Sequence, residues 1–169
     1  MLKTRGFNHI DLGTRDMEAT RRFYEGVLGF PLVRADEIDV AGRGTMKHYF
    51  FDAGNRQLIG FMSGEDVQGF PKEFDASINK GLGLPPGVYH FAFDAETDHD
   101  LERIKAHLVS HGVEVRGPVD HEGWCRSIYF LDPNGLQLEV CWLQRPFVAD
   151  DAVPRVRFRL EGRRKIEIA

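Results

Sequence analysis

Long apolar runs are missing from this 169-residue chain. No stretch reaches the roughly 20 residues that a membrane-spanning helix needs. The opening residues, MLKTRGFNHIDL, hold no apolar core of the kind a secretory leader requires and pass directly into a strand pattern. Cysteine is scarce: Cys125 and Cys141 are the only two, too few for a disulfide framework and consistent with a reduced, cytoplasmic protein. Positive charge is not concentrated anywhere before the C-terminal tail, and the net charge is -4; nucleic acid and membrane are therefore not expected partners. What remains is 42% hydrophobic and 28% charged, the composition of a soluble globular protein with enough chain to bury a core.

What the chain does have is a repeat. SIYFLDPNGLQLEV (127–140) echoes KHYFFDAGNRQLIGF (47–61): strand, Gly/Asn turn, strand. FNHIDL (7–12) and VYHFAF (88–93) alternate like strands, each with a histidine in third place. A helical pattern follows each of them. Asp16 is the expected cap of the first helix, with Met17, Phe23, Tyr24 and Leu28 as its apolar stripe and Gly29 and Pro31 at its end. Thr97 or Asp98 caps the second, whose stripe is Leu101, Ile104 and Leu108 and whose stop is Gly112. FPLVRAD and VEVRGPV supply one more short strand each. The expected organisation is two βαβββ modules, 1–62 and 88–145. A Gly/Pro-rich linker or lid loop, 63–87, joins them, and an extension, 146–169, follows. In that extension RVRFRL alternates strictly and reads as an edge strand or hairpin, with Arg155, Arg157 and Arg159 on a solvated face.

Matching the repeats brings four positions into correspondence. His9 to Gly60 is 51 residues (60 − 9) and His90 to Glu139 is 49 (139 − 90). If the halves pack about a pseudo-twofold axis, His9, His90 and Glu139 can bind a divalent metal, while Gly60 supplies no ligand. Two imidazoles and one carboxylate leave coordination positions open for water, substrate or dioxygen. A core histidine and an ion-paired glutamate would be the plainer assignment. However, a carboxylate on an apolar strand costs several kcal/mol unless it is paired or ligates a metal.

On these residues the chain resembles the vicinal oxygen chelate superfamily. NHIDL and YHFAF stand as opening strands and IYFLDPNGLQLEV as closing hairpin, and the likeness extends to about Trp142. That superfamily includes glyoxalase I, fosfomycin-resistance thiol transferases, extradiol ring-cleaving dioxygenases, methylmalonyl-CoA epimerases and metal-free bleomycin-binding proteins. The resemblance implies an α+β fold: two βαβββ modules forming an eight-stranded curved sheet, a cup with helices outside and the metal within. It implies His9, His90 and Glu139 as ligands of Fe(II) or Mn(II), with Zn(II), Ni(II) or Co(II) as alternatives, and a homodimer. Gly60 departs from the four-ligand pattern of glyoxalase I and the epimerases. The three-ligand pattern matches the extradiol and fosfomycin enzymes.

Tyr129 stands in the place of the extradiol active-site tyrosine, either hydrogen-bonding a metal-bound substrate oxygen or packing with its hydroxyl at the rim. The extradiol acid-base histidine is absent, since Gln57 and Leu58 occupy its strand. His121, in a loop, is a candidate substitute. Asp11, two residues after His9, is either a base or second-layer partner or simply bonded to a neighbouring strand. His48, one residue before Tyr49, is expected to face away from the cup. Cys141 shares the parity of Glu139, and a buried structural thiol is its commoner role. His107 and His111 have a zinc-capable spacing but fall off the helix stripe, which suits solvated surface. Trp124, Tyr49, Phe50, Phe51 and Phe61 offer an apolar wall for an aromatic or otherwise apolar small molecule. The expected function is extradiol-dioxygenase-like oxygenation of a metal-chelated aromatic or vicinal diol. The alternatives are lyase, isomerase or thiol-transfer chemistry through a metal-stabilised oxyanion, or a binding protein without turnover.

Overall fold

Strands with one apolar face need a helix to cover it, and both halves of the chain meet that need in the same way. The computed structural model describes Lys3, Thr4 and residues 6–154. In the first half β1 (His9–Gly13) is followed by α1 (Met17–Arg21), which runs on into a wider turn over Arg22–Val27. Then come β2 (Leu32–Asp39), β3 (Thr45–Asp52) and β4 (Leu58–Ser63). In the second half β5 (Phe91–Asp94) leads to α2 (Asp98–Ser110), β6 (Arg116–Asp120), β7 (Cys125–Leu131) and β8 (Gln137–Leu143). The eight strands form two four-stranded sheets of identical topology, β1-β4-β3-β2 and β5-β8-β7-β6. β1 and β5 run parallel to their neighbours and every other pair is antiparallel. The expected α+β fold of two βαβββ modules is thus present. The segment expected to form the edge strand RVRFRL lies outside the described residues.

The caps follow sequence chemistry. Asp16 accepts a hydrogen bond from the Ala19 N–H at 2.8 Å, and Thr97, rather than Asp98, accepts from the Asp100 N–H at 3.1 Å. Gly29 and Gly112 take positive φ after the two helices, as a helix stop requires. In the first sheet the helix side carries Phe51, Ile59 and Phe61, all buried. The Tyr24 ring lies 4.7 Å from Phe61 and 5.7 Å from Phe51 between centroids. In the second sheet Leu101 and Leu108 of α2 are fully buried, as are Ile128 and Leu138. Each such side chain contributes about 1.5–3 kcal/mol on leaving water. Phe51 and Phe61 therefore belong to the helix–sheet core rather than to a ligand-facing wall.

The chain divides into two compact units: one holds the first module and the linker as far as Gly81, together with Asp132–Leu136, and the other holds Leu82–Leu131 and the chain from Gln137. The DPNGL turn that enters the first unit is tightly bonded there. Asp132 Oδ1 accepts from the Asn134 and Leu136 N–H groups, each at 2.8 Å. Its Oδ2 accepts from Asn134 Nδ2 at 3.0 Å and from the buried Tyr24 hydroxyl at 3.1 Å. Thr14 and Thr20 hold the Asn134 amide. Burial pushes the Asp132 carboxyl above its usual range, against the pull of these donors. Replacing Tyr24 by Phe removes one donor without changing the ring packing. The expected loss is about 1–2 kcal/mol of unfolding free energy, read by urea denaturation with an unchanged slope. An unchanged midpoint would mean that the hydroxyl contributes nothing net.

Candidate functional site

Alternation gives each sheet a second face, free of its helix. In the second unit that face carries Glu139 and Cys141 of β8 and Ser127 and Tyr129 of β7. The register pairs Tyr129 with Glu139 and Ala92 with Glu139. Glu139 is only 6% exposed. His90, directly before β5, sets its Nε2 3.1 Å from Glu139 Oε2, and the Tyr129 hydroxyl donates to Oε1 at 3.3 Å. His121 Nε2 lies 2.8 Å from the same hydroxyl. Three of the expected residues, His90, Glu139 and Tyr129, thus meet on one carboxylate, with His121 one bond further out. Burial, and then the Glu139 charge, push the Tyr129 phenol up to about 12. It keeps its proton at neutral pH and acts as a donor. A cavity of about 360 Å³ adjoins Tyr129 and is also lined by Arg116, Gln137 and Pro86.

The geometry of His90 bears on what this carboxylate can hold. Its Nδ1 sits 2.9 Å from the Gly87 carbonyl, an arrangement that places a proton on Nδ1. In a neutral ring the Nε2 lone pair then points at Glu139, and two acceptors face each other. A cation satisfies both, whether a second ring proton or a metal ion. An N···O separation near 3 Å is also what two ligands on one small divalent ion show, each about 2.0–2.2 Å from it. His90 and Glu139 therefore fit two places on such an ion. Among the described residues, no three or more of His, Cys, Asp and Glu are gathered on one metal position. The third expected ligand, His9, belongs to the first unit.

In that unit the helix-free face carries His9, Asp11, His48, Phe50, Gly60 and Met62. His9 Nε2 lies 3.3 Å from Asp11 Oδ2, and His48 Nε2 lies 2.9 Å from Oδ1. His9 Nδ1 is 2.8 Å from Asn8 Oδ1, so both strand histidines direct Nε2 at a carboxylate. His48 departs from expectation. It faces the same way as His9 and Asp11, with its ring 4.2 Å from Phe50. The reason is a one-residue slip hidden in the sequence echo. The Tyr-Phe pairs suggest matching Tyr49 to Tyr129, yet the ladders pair Phe50 with Gly60 and Tyr129 with Glu139. Phe50 is thus the counterpart of Tyr129 and His48 that of Ser127. A shift of one residue exchanges the faces. Counting back from the Gly60–Glu139 correspondence would have found it.

The same register explains Gly60. Asp11 stands opposite it across β1 and β4, and a Cβ on residue 60 would lie 2.0 Å from Asp11 Oδ1. Each module therefore keeps a histidine and a carboxylate on its helix-free face, but on different strands. The first carries Asp11 on β1 beside a glycine, and the second carries Glu139 on β8 beside Ala92.

The remaining candidates are quieter. Cys125 and Cys141 are free thiols. Burial chiefly, with Cys125 and Glu139 nearby, pushes Cys141 up to about 12, so it is a poor nucleophile at neutral pH. The His107 and His111 rings lie 4.3 Å apart between centroids, tilted by 43°, at the exposed end of α2, where His111 Nδ1 bonds the His107 carbonyl.

Gly60→Ala is expected to cost about 1–3 kcal/mol in the native background and far less in an Asp11→Ala background, read as a double-mutant cycle by chemical denaturation. Additive losses would mean that Asp11 is not what excludes a side chain at position 60.

The sequence model of a family described as "Glyoxalase/Bleomycin resistance protein/Dioxygenase superfamily" matches residues 6–140. Among solved structures, an integron cassette protein from the mobile metagenome of a Halifax Harbour sewage outfall is 27% identical. That match covers 83% of this chain and 100% of that one, with a TM-score of 0.56. A fosfomycin resistance protein from Mesorhizobium loti is 24% identical over 82% of this chain and 91% of its own, TM-score 0.53. An antibiotic binding protein from a Streptomyces species is 20% identical over 85% and 99%, TM-score 0.57. The chain belongs to the glyoxalase/bleomycin resistance protein/dioxygenase superfamily.

Proposed function

We propose that this protein is a divalent-metal-dependent enzyme in which His9, His90 and Glu139 hold the metal and Tyr129 serves the substrate. The observation that supports it most directly is the buried Glu139 carboxylate faced by His90 Nε2 and by the Tyr129 hydroxyl. When bound, the metal supplies a Lewis acid for a substrate chelated through its oxygens, and iron or manganese would add oxygenation of the extradiol type. The Tyr129 phenol, protonated at neutral pH, would turn its single hydrogen from Glu139 to a substrate oxygen. His121, with Nε2 2.8 Å from the phenol oxygen, positions that hydroxyl, and His121 or Asp11 is the group that moves a substrate proton. His9 Nε2 faces Asp11 Oδ2 at 3.3 Å as His90 Nε2 faces Glu139, so Asp11 lies on the ligating side of His9 and is a candidate base there rather than a support behind the ring. A small-molecule substrate and a homodimer belong to this proposal.

The test is metal content after purification without chelator. Near one equivalent of iron or manganese is expected in the native protein, with loss in Glu139→Gln. Zinc, nickel or cobalt in its place would move the chemistry to lyase, isomerase or thiol transfer. No metal, even after reconstitution, would overturn the enzyme and leave a binding protein.

With iron bound, oxygen uptake on a panel of catechols should fall by a factor of about 100 or more in Tyr129→Phe at unchanged metal content. An equal rate in that variant would remove Tyr129 from the chemistry.

A further inference from the structure

The linker does more than join the modules. Its first part is clamped onto the first sheet by interactions that a slack connection would not make. Lys47 pairs with Glu65 at 2.6 Å and with Asp66 at 3.0 Å. The Gln68 N–H donates to the Arg43 carbonyl at 2.7 Å, and Val67 is buried. Gly44 is required there, because a Cβ would lie 2.1 Å from the Asp66 carbonyl oxygen. A second glycine admits an aromatic ring, and a third lies against one. A Cβ on Gly64 would strike the Phe70 ring at 2.4–2.6 Å, and one on Gly13 would sit 3.4 Å from the Phe74 ring. Phe70 and Phe74 meet edge to face, 6.2 Å between centroids.

These rings, with Pro71, wall a cavity of about 470 Å³ whose floor is the helix-free face of the first sheet: Met46, Met62 and Gly13. One ionisable group lines it, Asp11, at the end nearest His9 and His48. The volume falls within the ordinary range for a small-molecule pocket, and the lining is of the usual kind, apolar with few polar groups. Methionines adapt to an irregular apolar surface, and the phenylalanine edges favour an aromatic one. The carboxylate repels an anion and accepts a hydrogen bond from a hydroxyl or an ammonium.

We infer that this linker-walled cavity is a binding site for an aromatic or compact apolar small molecule that presents a hydrogen-bond-donating head group, not a carboxylate, to Asp11. Phe70, Phe74, Met46 and Met62 set the shape it accepts. That the bound molecule is the substrate rests on the metal-dependent function proposed above; the binding itself does not.

The two are tested together with metal-stripped protein. Calorimetric titration with 2-naphthol is expected to show one site, and naphthalene-2-carboxylate, the same body with an anionic head, to bind at least ten-fold more weakly. Phe74→Ala, which opens the wall, and Met46→Trp, which fills the cavity from the sheet, should each weaken 2-naphthol at least ten-fold. Asp11→Asn should abolish the preference between the two probes. Circular dichroism checks that each variant is folded. Equal affinities for the two probes, or 2-naphthol binding that ignores both Phe74→Ala and Met46→Trp, would overturn the inference. Metal content of Phe74→Ala separates the two proposals. Binding that depends on Phe74 in a protein that takes no metal removes the enzyme and keeps this site. Metal retained alongside wall-independent binding does the reverse.

Discussion

A carboxylate that is 6% exposed must be met by donors or by positive charge. Glu139 meets that demand in part with a phenol that burial keeps protonated; the Nε2 of a histidine held by its other nitrogen faces it as well, so that a cation between the two would meet the rest. The second half of the chain is arranged around this. Its helix takes one face of the sheet with Ile128 and Leu138, and the polar residues of the same strands turn to the other. Any residue placed opposite Glu139 on that face then has to be small, as Ala92 is, or a hydrogen-bond donor, as Tyr129 is.

The first half obeys the same rule by a different route. Its carboxylate is Asp11, one strand over from the place that Glu139 holds in the second half, and it stands over a glycine. Two imidazoles share it. The missing carboxylate at position 60 is therefore not simply an omission from a ligand set. The space it would need is taken by a side chain from the neighbouring strand. A repeated unit has kept its backbone while redistributing charge between adjacent strands, possible because cross-strand neighbours on one face lie about 4.5–5.5 Å apart at Cβ. The linker follows a related logic, since the Phe70 ring lies where Gly64 leaves room for it.

Local patterns in the sequence determined a good deal. Alternation in VYHFAF and LQLEV, the caps Asp16 and Thr97, and the stop glycines 29 and 112 each act within a few residues. The modules, their helices and the facing of His90, Tyr129 and Glu139 were legible from them. The opening strands and the closing hairpin carried the resemblance to the superfamily, whose model matches residues 6–140. What only the tertiary structure decided depends on partners distant in the chain. The pairing register of β3 and β4 turned His48 toward Asp11, because strand periodicity is two and a one-residue slip reverses every side chain. It likewise sent Phe51 and Phe61 to the helix side, while the register of β1 and β4 set Asp11 over Gly60. The packing of Phe74 and Pro71 against β1 and the methionines of β3 and β4 lay beyond any local pattern, since nothing within a Gly/Pro-rich stretch specifies which strands its rings will meet.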